Sequence, residues 1–278
     1  MLMTKPNWTG YLNMDIENRR GKSVPKNIYF HNALKVQRPI YHGKTGMLCY
    51  YILNVGGGYL DGDTYRLEIR VRENAKLTLT TLGATLIYKT PDKPAYQETE
   101  IHLEKNSYLV YMPDPVIGYE NARYKQFDSI YMEKGAVLLY SDILTPGWSA
   151  QGNSFSYDML QLKTNIYMDD ELVVFDNIKL EPAAQQIDIL GFMGDYTHLG
   201  TLIVIGQKTD DDLIKRLHAV IHEQTCDFDA GISRLTIPGF TIRVLANMTQ
   251  DVQRVIAACH KVISQEWFGE TPSSLRKY

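Results

Sequence analysis

Apolar and polar residues alternate at period two along much of the first 180 or so residues, as in Tyr65-Arg66-Leu67-Glu68-Ile69-Arg70-Val71. Such alternation marks a strand with one face buried and the other wet. No long helical stripe interrupts it before Glu181-Pro182. A weak repeat punctuates the pattern. Val71-Arg72-Glu73-Asn74-Ala75-Lys76-Leu77, Leu103-Glu104-Lys105-Asn106-Ser107-Tyr108, Met132-Glu133-Lys134-Gly135-Ala136-Val137 and Met168-Asp169-Asp170-Glu171-Leu172 each set a short acidic turn between two strands. Their starts lie about 30 residues apart, the spacing at which stacked β-units recur. Each turn is read as that of a hairpin, whose single apolar face only another layer can cover.

After Pro182 the period changes. Thr209-Asp210-Asp211-Asp212 precedes Leu213, Leu217, Val220 and Ile221 at helical spacing, which predicts a helix with Thr209 as N-cap and acidic residues in its first turn. A second helix is predicted from about Thr249 to Gln265, with Val252, Val255, Ile256, Cys259 and Ile263 on one side and Trp267-Phe268-Gly269 past its end. Between them Ile232 to Leu245 reads as a hairpin turning at Pro238-Gly239. The expected fold is all-β dominated: layered β-sheets of stacked hairpins, β-helix or sandwich-like, with two C-terminal α-helices. No long Pro/Gly/Ser linker divides it, so residues 1–278 are expected to form a single β-rich domain, with a subdomain change near residue 183.

Composition narrows the function. With 44% apolar and 22% charged residues, the 278-residue chain has the balance of a folded globular protein. A formal net charge of -3 provides no cationic field to hold a phosphate backbone, so nucleic acid is not an expected partner. Met1-Leu2-Met3-Thr4-Lys5-Pro6-Asn7-Trp8 lacks the apolar core of a signal peptide, and no later run approaches a membrane span of ~18 apolar residues. A cytoplasmic protein without membrane contact is expected. Cys49, Cys226 and Cys259 are too few and too scattered for a disulfide framework and are expected as reduced, buried thiols. The 19 tyrosines are the unusual count, and they suit surfaces buried against a partner.

Candidate chemistry is sparse. Asn54-Val55-Gly56-Gly57-Gly58-Tyr59-Leu60-Asp61-Gly62-Asp63 is glycine-rich, but no Lys-Ser/Thr follows and a strand comes next where a nucleotide loop needs a helix N-terminus. It reads instead as a tight turn requiring positive φ or close backbone approach. Asp61 and Asp63 are either oxygen ligands for a cation or solvated turn residues. His218, His222 and Cys226 recur every four residues. That set is either a zinc or nickel ligand group or the polar flank of an amphipathic helix. Cys259-His260 points in two directions about 100° apart on a helix. Gly147-Trp148-Ser149-Ala150-Gln151-Gly152 does not present a nucleophile elbow. The remaining feature is a set of carboxylates at strand ends, Asp63, Asp114, Asp142 and Asp176, which could line a polar, cation-tolerant path if they converge.

Taken in order, Gln37-Arg38-Pro39, Gly56-Gly57-Gly58 with Gly62-Asp63, Thr80-Thr81, Gly83-Ala84-Thr85, Tyr88-Lys89, Leu109, Pro113-Asp114, Asp142, Gly147, the strand Leu172 to Leu180, Gly231 and Arg243-Val244-Leu245 resemble the UreD (UreH) family of urease accessory proteins over nearly the whole chain. The resemblance implies a non-enzymatic scaffold in a two-layer, β-helix-like form with two helices. It would bind the urease apoprotein on one side and the accessory protein UreF on the other, with the GTPase UreG recruited through UreF. It further implies a passage for transient Ni2+ lined at the positions matching Asp63, Thr85, Asp142 and Asp176, with no tightly bound cofactor and no catalytic residue. A conduit must admit an ion and let it go, which sparse oxygen ligands do better than a closed His/Cys cage. Val110, Trp148 and Asn153 stand where many members carry a charge, so roles of those charges do not transfer. Two other classes compete. A carbohydrate hydrolase on a β-solenoid would use Asp61 with Asp63 or Asp142 with Asp114, needing carboxyls roughly 5 to 9.5 Å apart in an open cleft. A metal-storage or sensor protein would need a closed ligand cage.

Overall fold

The computed structural model describes residues 7–42 and 47–272; the opening Met1–Pro6 read above lies outside them. Strands β1 (Gly10–Arg19), β2 (Lys22–Asn32), β3 (Leu34–Val36), β4 (Ile40–His42) and β5 (Met47–Asn54) open the fold. They are followed by β6 (Thr64–Val71), β7 (Lys76–Thr81), β8 (Thr85–Ile87), β9 (Ala95–Leu103), β10 (Tyr108–Tyr111), β11 (Val116–Gly118), β12 (Arg123–Met132), β13 (Val137–Leu144), β14 (Met159–Met168) and β15 (Glu171–Leu180). The C-terminal third holds β16 (His198–Ile205), α1 (Asp211–His222), β17 (Phe228–Arg234), β18 (Gly239–Ala246) and α2 (Thr249–Phe268).

These strands form two sheets. The first runs β15-β14-β12-β9-β6-β1-β2 and the second β17-β18-β16-β13-β10-β7-β5-β3, with β4, β8 and β11 joined at its side. From β5 to β14 the chain alternates between sheets, and strands of successive coils pair in parallel: β6 with β9, β9 with β12, β12 with β14, and β5 with β7, β7 with β10, β10 with β13. The result is a layered β-solenoid. The repeat seen in the sequence is its coil, because the four turn starts stack in register as Val71↔Leu103, Leu103↔Met132 and Met132↔Met168.

The hairpin reading of those turns is therefore corrected. The first three carry the chain from one sheet to the other, and only the turn after Met168 closes an antiparallel hairpin, between β14 and β15. The acidic residues have a definite task there. Glu104 accepts the backbone N–H of Glu73 at 3.1 Å, Glu133 that of Lys105 at 2.9 Å, and Asp169 that of Lys134 at 3.2 Å. Each coil's carboxylate thus satisfies a turn donor of the coil before it, a contribution of about 1 kcal/mol or more per charge-assisted bond. Asn74, Asn106 and Gly135 take the left-handed position of these corners, the residue types that tolerate it.

Leu12, Ile69, Leu77, Ile101, Ile130 and Leu138 are among the fully buried side chains that fill the space between the sheets. The outer face of the second sheet is covered by the helices, where Val244, Leu202 and Leu139 pack with Leu217, Val252, Val255, Cys259 and Ile263. Gly200 lets α2 lie close to β16, since a Cβ there would sit 2.3 Å from Val252 Cγ1. Two helix boundaries differ from expectation. Asp210 is the N-cap of α1, accepting from Leu213 N at 2.7 Å, because Thr209 turns its hydroxyl to the Gly206 carbonyl at 2.8 Å. Helix α2 continues through Trp267 and Phe268, since Trp267 is buried in the helix–sheet layer, and ends at Gly269 in the left-handed conformation. The predicted β17–β18 hairpin is present and begins earlier, at Phe228.

Candidate functional site

Polar side chains occupy one level of the inter-sheet space. On the first sheet Thr99, Asp128, Thr164 and Asp176 are register partners across β9, β12, β14 and β15. Register partners project to the same face, so they form a row. Thr99, Asp128 and Thr164 are at most 3% exposed. On the second sheet Asp142, Thr201 and Arg243 form a matching row across β13, β16 and β18.

The rows meet twice. Tyr140, two residues before Asp142 and on the same face, donates its hydroxyl within reach of both Asp128 and Asp142, 2.5 Å from Asp142 Oδ2. Gln126 Nε2 lies 2.7 Å from Asp128 Oδ2 and 3.3 Å from Asp142 Oδ1. At the other end the Arg243 guanidinium donates to Thr201 Oγ1 at 2.7 Å and to Asp176 Oδ1 at 2.5 Å, joining the sheets through an ion pair.

Burial is the first cause of the unusual electrostatics here. It pushes the Asp142 carboxyl up to about 7, assisted by the nearby charge of Asp128 and opposed by the hydrogen bonds from Tyr140 and Gln126. Asp128 is also raised by burial, against hydrogen bonds from Tyr140, Thr99 and Gln126. Its Oδ1 is buried without a donor in hydrogen-bonding geometry. Two carboxyls sharing one phenol in a low-dielectric interior cannot both ionise cheaply. The cluster holds a proton readily and has spare acceptor capacity.

A cavity of about 280 Å³ reaches this cluster. Its lining includes Gly57, Thr81, Gly83, Thr85, Asp114 and Asp142, with Gln97, Gln126, Tyr59 and Tyr111 also exposed to it. Gly57 and Gly83 are exposed at the protein surface, whereas Asp142 is buried. The glycine turn has the predicted character. Gly57 has φ +77, and a Cβ on Gly58 would sit 2.5 Å from the Tyr88 ring and 2.9 Å from the Leu86 carbonyl oxygen.

Of the residues singled out in the sequence, Thr85 and Asp142 line this cavity together with Asp114, while Asp63 and Asp176 lie outside its lining. Asp63 accepts from Leu60 N at 2.7 Å and from Thr9 Oγ1 at 3.2 Å. It remains linked to the cavity wall through Tyr65, which also receives a bond from Asn54. Asp61 caps the neighbouring turn through Asp92 N and Lys93 N. Asp176 lies beyond the proton-sharing cluster, behind Thr164, whose hydroxyl is 3.5 Å from Tyr140 Oη.

His218 and His222 are exposed on α1 and Cys226 follows the helix end. No three His, Cys, Asp or Glu among the described residues are grouped to hold a metal ion. The polar-flank reading of that trio is the one the geometry fits. None of the three cysteines is in a disulfide; Cys49 and Cys259 are buried as expected, whereas Cys226, just past the end of α1, is only half-buried. Tyrosine serves the interior more than expected. Nine of the described tyrosines, including Tyr59, Tyr65, Tyr111, Tyr124 and Tyr140, are buried in the protein's own core. Sequence reasoning missed Asp128, Gln126, Thr99 and Thr164. The signal was present, because these polar residues occupy inward positions of alternating strands that otherwise hold Ala, Leu, Ile, Met and Tyr.

Fold and site together define a two-sheet β-solenoid with a helical layer on one face and an anionic polar row, reached by a cavity, through its interior. Comparison with known proteins narrows the class. Residues 9–277 match the family model described as UreD urease accessory protein. A protein of Lachnoclostridium phytofermentans named urease accessory protein UreD is 46% identical over 98% of this chain and 99% of its own. Those of the same name from Bacillus cereus (40% identical, 97% of this chain, 98% of its own) and Staphylococcus aureus (39% identical, 99% and 100%) are also similar along their full lengths. The chain belongs to the UreD family of urease accessory proteins.

Proposed function

We propose that this protein is a non-enzymatic scaffold in urease maturation that binds the urease apoprotein and UreF, receives nickel from UreG through UreF, and passes Ni2+ through its interior to the nascent urease site. Family membership supports the maturation role. The observation that carries the passage is the convergence of Thr85, Asp114 and Asp142 on one cavity that reaches the buried polar row continuing to Asp176. Asp63 stands beside the cavity through Tyr65 and Asn54. Sparse carboxylate and hydroxyl oxygens, already hydrogen-bonded to one another, hold a borderline cation loosely enough to release it. Exposed Leu172 and Phe175 on the edge strand β15 offer apolar surface to a partner.

No observation favours the hydrolase alternative. Asp61 and Asp63 are spent on turn donors, and Asp142 is held by Tyr140 and Gln126. The test is co-expression with urease and the other accessory proteins, reading nickel per urease active site and co-purification of the complex. Asp142→Ala should lower nickel loading with the complex intact. Normal loading in Asp63→Ala, Asp142→Ala and Asp176→Ala alike would refute the passage, and failure to co-purify with urease or UreF would refute the scaffold.

A further inference from the structure

The row through the interior contains one cation. Among Thr99, Asp128, Thr164 and Asp176 of the first sheet and Asp142, Thr201 and Arg243 of the second, only Arg243 carries positive charge. Its position is unusual for a route that would carry a divalent ion. The guanidinium sits on the Asp176 carboxylate, so that an arriving cation finds this oxygen taken and a like charge beside it. A guanidinium also holds its donors in a fixed fork, and here the fork spans the sheets, with Nη1 on Thr201 and Nη2 on Asp176. Leaving Asp176 means turning about the Thr201 contact. The side chains of Arg243 and Asp176 are 37% and 21% exposed, against 7% for Asp142 as a whole, so the pair stands where the row approaches solvent.

We propose that Arg243 gates the far end of the row, closing it by occupying Asp176 and opening it when the carboxylate exchanges the guanidinium for the divalent cation. This deepens the passage reading and rests on it. Closure at this end has a clear use. The guanidinium competes with nickel for Asp176, so an ion that reaches this end is bound only weakly and passes on instead of being trapped there. In the exchange Asp176 stays paired, giving up a monovalent partner for a share of a divalent one whose remaining charge falls to the other carboxylates of the row, while the guanidinium moves into water, where its exposure already leads.

The experiment is equilibrium dialysis of the purified full-length protein against Ni2+ alone, for wild type, Arg243→Met, Asp176→Asn, the double variant and Asp142→Asn. Methionine keeps the apolar stem of the side chain and removes the fork. Arg243→Met should retain Ni2+ at least tenfold more tightly than wild type, and the double variant should lose that gain, because the freed ligand is Asp176. In co-expression, Arg243→Met should load less nickel into urease despite binding it better. If Arg243→Met binds within twofold of wild type while Asp142→Asn weakens binding, the gate is refuted and the passage stands. If neither variant changes binding, the passage fails and the gate with it. Should Arg243→Met not fold, Arg243→Lys serves: its single ammonium cannot span both sheets, so retention should rise about threefold, and binding equal to wild type would overturn the proposal.

Discussion

Replacing Asp142 by asparagine separates the stability of the interior from its use. The wild-type carboxyl is moved by folding from 3.8 to about 7, chiefly by burial and next by the charge of Asp128. A carboxyl whose folded pKa lies above its unfolded value binds its proton more tightly in the folded state. Folding is therefore favoured in full below pH ~4, loses stability as pH rises from there to ~7, and is flat above that window. At 1.36 kcal/mol per pH unit, the loss is on the order of 4 kcal/mol for a carboxyl moved this far. Asparagine keeps the volume and an acceptor for Tyr140 but carries no charge to repel Asp128. Its buried amide hydrogens need partners and return about 1–3 kcal/mol of that gain.

Asp142→Asn should thus be stabilised by about 2 kcal/mol at pH 8, roughly 4–8 °C in melting temperature for a chain of this size. At pH 5, where the wild-type carboxyl is already protonated, the difference should vanish or reverse. The assay is thermal or urea unfolding of wild type and variant from pH 4.5 to 8.5, beside nickel loading of co-expressed urease. Loading should fall, because an amide is a poor ligand for a divalent ion. Equal destabilisation of the variant at pH 5 and pH 8 would refute the reasoning, since it would mean that Asp142 is ionised in the fold and held by a compensating partner.

Removing the shared donor should act in the opposite sense: Tyr140→Phe leaves Asp128 and Asp142 without their common hydroxyl and should cost about 1–3 kcal/mol, read by urea unfolding at pH 7. Glu133→Ala unties Lys105 N and should cost about 1 kcal/mol, whereas Glu133→Gln, which keeps an acceptor, should recover most of it in the same measurement. Gly58→Ala places a methyl against the Tyr88 ring and the Leu86 carbonyl at φ +159, so about 1–3 kcal/mol of stability should be lost, with a matching fall in soluble yield. His218→Ala with His222→Ala should leave nickel loading at the wild-type level, because both side chains are exposed on the flank of α1; a loss there would move the metal site to the helix.

The strands and the period of the coil were legible because each needs only local chemistry: alternation for the strands, and an acidic turn with Asn or Gly at the left-handed position for the corners. Whether a corner reverses within one sheet or crosses to the other was not legible. A turn such as Lys105-Asn106-Ser107 looks the same in both cases, and the group that caps it, Glu133, comes from the next coil and lies outside any local pattern. Asp142 and Asp176 were legible as carboxylates, read at strand ends although they stand inside β13 and β15, and the family resemblance gave them a role; Thr85 entered through the resemblance alone. Asp128 was not legible as a strand-end carboxylate, because it stands mid-strand between Gln126 and Ile130 on the inward parity. The tyrosine count pointed outward for a related reason. Composition cannot say whether a phenol's hydroxyl meets a partner's surface or, as for Tyr140, a carboxylate in the core.

The two halves of this architecture depend on each other. A buried row of carboxylates, amides and hydroxyls is a destabilising feature, since every group in it gives up water for partners that satisfy it only in part. The fold can carry the row because stability is gathered elsewhere, in parallel ladders capped from coil to coil by Glu104, Glu133 and Asp169 and in the apolar layer where α2 lies on β16 and β18. Were the row there only to fix strand register, well-packed apolar residues would do so at lower cost, as buried ion pairs and their hydrophobic replacements indicate. Replacing Thr99, Asp128, Thr164 and Asp142 together by Val, Leu, Val and Leu should therefore give a protein that folds more stably in urea and still co-purifies with its partners, yet fails to support nickel loading. If that variant loads nickel as well as wild type, the polar interior is not part of the protein's work, and its persistence would need another cause.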